Sequence, residues 1–149
     1  KKGIKAAERE EYKELLKPLG LGLEDRMTAK VGLLSGGQRQ ALTLLMATLK
    51  KPKLLLLDEH TAALDPATAQ KVLDITTRIV SEGRITTMMI THDMQAALTL
   101  GNRTIMMDDG KIIFDISGEE RAKMTVEDLL ECYHENSRKK LTNDRMLLK

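Results

Sequence analysis

Two short segments of the chain carry residue types that could handle a phosphate group and a metal ion. Ser35-Gly36-Gly37-Gln38 stands directly before a stretch with apolar residues at helical spacing. Asp58-Glu59 follows the wholly apolar residues 54–57. A helix that begins with bare glycines presents backbone N–H groups to an anion, and paired carboxylates at the end of a buried strand can bind a metal ion and activate water. The two segments, in this order, indicate nucleoside triphosphate chemistry.

Each segment needs a secondary-structure element to position it. Ser35 is predicted to be the N-cap of a helix that ends before Pro52. Residues 54–57 show no polar alternation, which predicts a parallel strand covered on both faces. Asp65, followed by proline, predicts the start of another helix, and Gly83 its end.

The flanking sequence extends this pattern in both directions. A charged helix is expected over residues 5–17, and a loop with one helical turn over residues 23–34. Residues 85–90 form the next predicted strand, and His92-Asp93 leads from it into a short helix that reaches Gly101. Alternation of strand and helix favours an α/β layer with mostly parallel strands.

The C-terminal third predicts a hairpin and a last helix. Asp109-Gly110 lies between two apolar segments and is a strong turn signal. Thr125 and Asp128 resemble a capping box that starts an amphipathic helix. Its predicted inward residues are Leu129, Leu130 and Tyr133, and the methionines at 88, 89, 106 and 107 are expected in the core. A polar, basic tail is expected from Ser137.

Composition excludes several classes of function. The chain has 149 residues, a formal charge of +2 and 2% aromatic residues. This balance argues against a nucleic-acid partner, because there is neither a basic excess nor a set of rings for base stacking. The lone Cys132 fits a reducing compartment. No apolar run is long enough for direct membrane insertion.

Four motifs in a fixed order resemble those of the ATP-binding-cassette (ABC) transporter ATPases. Residues 34–38 are similar to the signature loop of that family, residues 54–59 to its Walker B strand with the following glutamate, residues 63–65 to its D-loop, and His92 to its switch histidine. The resemblance covers residues 31–117, although His60 stands where many members have proline and Ala62 where many have serine.

The resemblance implies a role for each matching residue. Asp58 would hold Mg²⁺, Glu59 would act as general base toward water, an effect of roughly 10²–10⁴ in rate, and His92 would reach the γ-phosphate of ATP. Asp65 would help to couple two nucleotide sites across a subunit boundary. Four residues would contact a nucleotide held by a second subunit: Ser35, Gly36, Gly37 and Gln38. Their glycines are expected to let the backbone N–H groups approach the phosphate.

The implied fold is a partial P-loop NTPase-type α/β layer with helices packed on it, a C-terminal β-hairpin and a piece of the helical subdomain. Residues 1–50 are assigned to that subdomain and residues 51–149 to the C-terminal part of the ATPase core, together one incomplete domain. The phosphate-binding pattern G-x-x-x-x-G-K-[ST] does not occur in the 149 residues. We therefore expect the chain alone to be inactive. Because a sheet without its upstream strands exposes an apolar edge, we also expect the chain to associate through that edge.

The resemblance implies the energy-coupling subunit of a bacterial importer, with an amino acid as one candidate cargo. Its expected partners are a second ATPase subunit in a head-to-tail dimer and a transmembrane permease subunit. The expected location is the cytoplasm, at the inner face of the membrane through the permease. One alternative is a truncated module that lends its signature loop to a complete ATPase. Another is a relative in DNA repair or chromosome maintenance, which the compact approach to residue 34 disfavours.

Overall fold

The computed structural model describes residues 5–135, which form two compact units that meet in sequence between Ile90 and Thr91. The predicted tail from Ser137 lies outside the described residues. The predicted division of the chain at residue 50 stays a prediction.

The first unit alternates helices with two short strands. Its helices are α1 (Ala6–Leu16), α2 (Gly36–Thr48) and α3 (Pro66–Gly83), and its strands are β1 (Leu55–Asp58) and β2 (Thr87–Ile90). Three 3₁₀ turns join α1 to α2, at Lys17–Leu19, Leu23–Asp25 and Val31–Leu33. The loop predicted there is thus a series of tight turns, two of which are flanked by glycines with positive φ, Gly20 and Gly22.

β1 and β2 pair in parallel, as predicted. The register joins Leu55 to Thr87 and Asp58 to Ile90. Both strands therefore end at the same edge of the sheet, where open α/β sheets bind their ligands.

The core of the first unit lies between the strands and the helices α2 and α3. Ala41 on α2 and Ile75 on α3 pack in one cluster with Leu55 and Leu57. Full burial of each such aliphatic side chain contributes roughly 1.5–3 kcal/mol. The other buried members of this cluster are Leu16, Leu19, Leu23, Leu34, Leu44 and Ile85.

The prediction that β1 is covered on both faces is wrong for this structure. Leu55 and Leu57 are buried, but Leu56 between them is 65% exposed. On β2, Met88 and Ile90 are also more than half exposed, and only Met89 packs against the core. The reason is that Ala41, Leu44 and Ile75 of α2 and α3 belong to one cluster with Leu55 and Leu57, whose side chains lie on the opposite face of the strand from Leu56.

The end of α3 also differs from its prediction. Gly83 is still helical, and the left-handed residue is Arg84, with φ 46°. The Ile85 N–H donates to the Val80 carbonyl at 3.0 Å, which closes the last turn. A glycine is favoured at position 83 for lack of space, because a Cβ there would lie 2.9 Å from Cγ1 of Ile85.

The second unit contains a short helix, a hairpin and two further helices. These are α4 (Met94–Thr99), β3 (Arg103–Asp108), β4 (Lys111–Ser117), α5 (Gly118–Lys123) and α6 (126–135). β3 and β4 are antiparallel, and the predicted turn is confirmed, since Asp109 and Gly110 both have positive φ, as a two-residue turn with a right-handed twist requires.

Two side-chain groups fix the helices of the second unit. Arg121 donates to the hydroxyl of Thr104 at 2.8 Å and to the carbonyl of Leu100 at 2.6 Å, so it ties α5 to β3 and to the end of α4. The predicted capping box is confirmed, because Thr125 and Asp128 exchange hydrogen bonds at the start of α6.

The inward face of α6 is narrower than predicted. Leu129 is 1% exposed, but Leu130 and Tyr133 are about two-fifths exposed. On β3, Met107 is 63% exposed rather than in the core. Of the three residues predicted to face inward on α6, only Leu129 is therefore buried.

Candidate functional site

The two carboxylates lie at the carboxyl end of β1. Asp58 is the last residue of the strand, and Glu59 follows it with φ 43°, in the left-handed region that glutamate rarely adopts. The Glu59 N–H donates to the Ile90 carbonyl at 3.0 Å, and its carbonyl accepts from Ala62 N–H at 3.0 Å. Both residues are exposed. The backbone therefore fixes Glu59 in an unfavourable conformation at the accessible edge of the sheet.

The start of α2 is held by a capping box. The hydroxyl of Ser35 accepts from the Gln38 N–H at 3.2 Å, and the Gln38 side-chain oxygen accepts from the Ser35 N–H at 3.0 Å. The side-chain nitrogen of Gln38 donates to the Leu21 carbonyl at 2.9 Å. Ser35 is confirmed as the N-cap. The Gln38 amide, for which the sequence suggested only a nucleotide contact, also joins α2 to the preceding loop.

The two glycines of this segment lie against α3 and the loop before it. A Cβ at Gly37 would lie 2.3 Å from Cγ2 of Thr68, and a Cβ at Gly36 would lie 2.8 Å from Cδ2 of Leu64. Gly37 is buried, whereas Gly36 is half-buried and Ser35 is exposed. Sequence reasoning explained both glycines by phosphate approach and missed this packing requirement, which no pattern within the segment reveals.

Asp65 lies at the start of α3, next to the segment 35–38. Its carboxylate accepts from the Thr68 N–H at 3.0 Å, and hydrogen bonds from Thr68 hold the pKa of Asp65 below its usual value. It is thereby confirmed as the N-cap of α3. Because Gly36 meets Leu64 and Gly37 meets Thr68, the structure brings five of the predicted site residues, 35–38 and 65, to one place.

His92 belongs to the second unit, where it precedes α4. It is exposed, and the next residue, Asp93, caps the helix by accepting from the Ala96 N–H at 3.0 Å. The role of His92 toward a γ-phosphate stays a prediction.

The carboxylates offer a small set of oxygen ligands. Within residues 5–135, no group of three or more histidine, cysteine, aspartate and glutamate residues could hold a metal ion. Mg²⁺ is commonly bound by one or two carboxylates together with water and substrate phosphates. Asp58, an exposed oxygen donor at a strand end with Glu59 beside it, fits this kind of binding and would not suit a metal that needs an all-protein cage.

Sequence reasoning gave no role to His60, which follows the acidic pair. His60 is half-buried, and its Nε2 lies 3.1 Å from the hydroxyl of Thr76 on α3. Burial lowers the pKa of the His60 imidazole. Two signals in the sequence could have revealed it, namely its place directly after the acidic pair and a threonine among the buried positions of the next helix.

Comparisons with known proteins agree with the motifs. A model of the ABC transporter family matches residues 3–62. The chain is 49% identical over 117 residues to the tyrosine transport ATP-binding protein of Clostridioides difficile (strain R20291), an alignment that covers 78% of the chain and 47% of that protein. It is 36% identical over 122 residues to a methionine import ATP-binding protein of Oceanobacillus iheyensis, covering 78% of the chain and 36% of that protein.

The structural comparison gives the same result. The crystal structure of an ATP-binding cassette of an ABC transporter in its ADP conformation matches with a TM-score of 0.69 and 29% identity. That match covers 89% of this chain and 53% of the solved one. The chain therefore spans about half the length, or less, of the proteins it resembles, and the predicted α/β ATPase fold is confirmed. Among the helices of residues 5–135, none has the length and apolar character needed to cross a membrane.

Proposed function

Because the chain belongs to the ABC transporter ATPases, we propose that it carries the hydrolytic carboxylates and the signature loop of a transporter's ATP-hydrolysing subunit. The observation that supports this most directly is the fixed position of Asp58 and Glu59 at the end of the parallel pair β1–β2. Two relatives with which the chain aligns over 78% of its length are named as transport and import ATP-binding proteins.

Each residue has a role that its chemistry supports. Glu59, held by its backbone at the strand end, would accept a proton from the attacking water. Asp58 would supply a carboxylate oxygen to Mg²⁺, which when bound neutralises charge on the phosphates. His92 would donate a hydrogen bond to the γ-phosphate. Asp58 and Glu59 would act on a nucleotide that the same subunit binds.

The start of α2 would serve a second nucleotide. Ser35 is exposed and Gly36 is half-buried, so the first turn of α2 offers N–H groups to an anion approaching from outside. Asp65 lies beside this turn and would link the two sites of a head-to-tail dimer. Most of the grip on ATP would come from a G-x-x-x-x-G-K-[ST] loop, which the 149 residues do not contain.

The transported solute is proposed from the names of relatives. The chain is similar to proteins named for tyrosine transport, glutamine transport and methionine import. We therefore propose an importer of a small solute such as an amino acid. The ATPase would lie at the cytoplasmic face of the membrane, bound to a transmembrane permease subunit.

The experiment that tests this proposal is phosphate release by the protein expressed from the whole reading frame that encodes the chain. Glu59→Gln keeps the size of the side chain and removes the base, so kcat is expected to fall about 10²–10⁴-fold. Glu82→Gln, on the exposed side of α3, is the matched control and keeps full activity. Retention of activity by Glu59→Gln would refute the role of Glu59.

A second candidate function is a non-catalytic module that lends its signature loop to a complete ATPase. The start of α2, where Ser35 caps the helix and is exposed, would supply that loop. In this case, the product of the whole reading frame would release no phosphate by itself, but the chain would restore activity to a partner ATPase whose own signature loop is mutated.

A further inference from the structure

We propose that His60 is a positioning residue that holds the base Glu59 in place through a hydrogen bond from its imidazole to the hydroxyl of Thr76. The inference rests on the proposed function, since it assumes that Glu59 acts on water. It assigns to His60 and to α3 a part in hydrolysis that the four motifs do not include.

The direction of the hydrogen bond follows from the surroundings of Thr76. Thr76 is 6% exposed, and its hydroxyl donates to the Val72 carbonyl at 2.7 Å, one turn earlier in α3. A hydroxyl has one proton to donate, so its oxygen accepts from Nε2 of His60 at 3.1 Å. The imidazole must therefore carry a proton on Nε2.

This hydrogen bond adds a third support to the conformation of Glu59. The Glu59 N–H is bonded to β2 through Ile90, and its carbonyl to the turn through Ala62. His60 connects the same turn to α3. A left-handed glutamate persists only where the surrounding structure fixes it, and φ of Glu59 is 43°. Without the imidazole, the peptide after Glu59 loses this attachment to α3, and we expect the backbone that carries the carboxylate to be held less firmly.

The chemistry of the residue fits this role. The imidazole ring has an N–H that can donate to the Thr76 hydroxyl, which lies 3.1 Å from Nε2. Where family members have proline at this position, no side chain can reach α3 in this way. In this chain, the hydrogen bond between His60 and Thr76 holds the turn against α3 instead.

The activity test uses the protein expressed from the whole reading frame. Thr76→Val removes the acceptor and keeps the shape of the side chain, and Thr76→Ser keeps the hydroxyl. We expect kcat to fall about 3- to 10-fold in Thr76→Val, the effect of one lost hydrogen bond, with KM for ATP unchanged. Thr76→Ser is expected to restore most of kcat. His60→Gln is the second variant. The kcat of the double variant, His60→Gln with Thr76→Val, should be no lower than the kcat of the less active single variant.

Three outcomes would overturn the inference: full kcat in Thr76→Val, a rise in KM in step with the fall in kcat, or effects of the two substitutions that multiply. A purely structural role would lower the unfolding temperature and leave kcat per folded molecule unchanged. Glu59→Gln in parallel separates the two proposals. If wild-type protein is active and Glu59→Gln is not, then the Thr76 variants test His60 alone.

The hydrogen bond has a readout that needs no activity. In ¹⁵N NMR spectra of the chain labelled at histidine, His60 is expected as the Nε2–H tautomer, and Thr76→Val is expected to produce a mixture of tautomers. An Nδ1–H tautomer in the wild-type chain would refute the inference even if no ATP hydrolysis is found.

Discussion

A glycine at position 37 could be required for packing against Thr68 or for the approach of a phosphate to the backbone. Replacing Gly37 with alanine separates these two explanations. A Cβ at this position would lie 2.3 Å from Cγ2 of Thr68. Ordinary carbon contacts are about 3.5–4.0 Å, so the threonine methyl would have to retreat by more than about 1 Å. Because the contact is this short, we take the upper part of the usual overpacking cost, about 2–3 kcal/mol, and the higher helix propensity of alanine returns about 1 kcal/mol. We expect a net loss of about 1–2 kcal/mol in the free energy of unfolding.

The matched compensating change is Thr68→Ser, which removes the clashing methyl. The nearest remaining atoms would then be Cγ2 of Val72 at 3.8 Å and the Cβ of residue 68 at 3.9 Å, both at ordinary contact distances. The variant Gly37→Ala with Thr68→Ser should therefore be at least as stable as Thr68→Ser alone. The coupling between the two substitutions should be about 1–3 kcal/mol.

Urea denaturation of the four proteins, followed by circular dichroism, measures this coupling. The packing explanation is refuted if Gly37→Ala is as stable as the wild type, or if Thr68→Ser does not restore its stability. ATP hydrolysis by the same double variant, made in the protein expressed from the whole reading frame, then tests the other explanation. Activity that stays lost when the fold is restored would mean that the phosphate also requires a glycine at position 37.

Three further predictions concern the caps and the sheet face. Ser35→Ala removes a capping hydroxyl and should lower the free energy of unfolding by about 1 kcal/mol, measured by urea denaturation. In the folded protein the pKa of Asp65 is below its usual 3.8. The stability that its carboxylate contributes is therefore present above pH 3.8 and is lost as the pH falls through the folded pKa. In thermal unfolding, the decrease in stability at acid pH should be smaller for Asp65→Asn than for the wild type. Leu56 and Met88 are more than half exposed, so threonine at both should reduce self-association of the isolated chain in sedimentation experiments, and an unchanged mass distribution would contradict this.

Local patterns decided the features that depend on neighbours in sequence. Ser35, Asp65 and the Thr125–Asp128 pair cap helices because their side chains reach backbone N–H groups three residues away. The Asp109–Gly110 turn follows in the same way from two residues that tolerate positive φ. The apolar run 54–57 likewise predicted a strand.

Predictions that depended on distant neighbours were less successful. Leu56 is exposed because α2 and α3 pack with Leu55 and Leu57, on the other face of the sheet, and a strand's sequence does not say how many layers cover it. Leu130 is exposed where the sequence placed it inward.

The sequence by itself determined the chemistry of the site: an acidic pair after a strand, a capped glycine turn and the order of motifs that defines the family. Only the tertiary structure showed that Gly37 has to accommodate Thr68, that Glu59 has a left-handed backbone, and that His60 reaches Thr76. Caps and turns form between residues a few positions apart. The contacts of Gly37 and His60 instead depend on where α3 lies against α2 and the end of β1, and the backbone of Glu59 is bonded to β2 through Ile90.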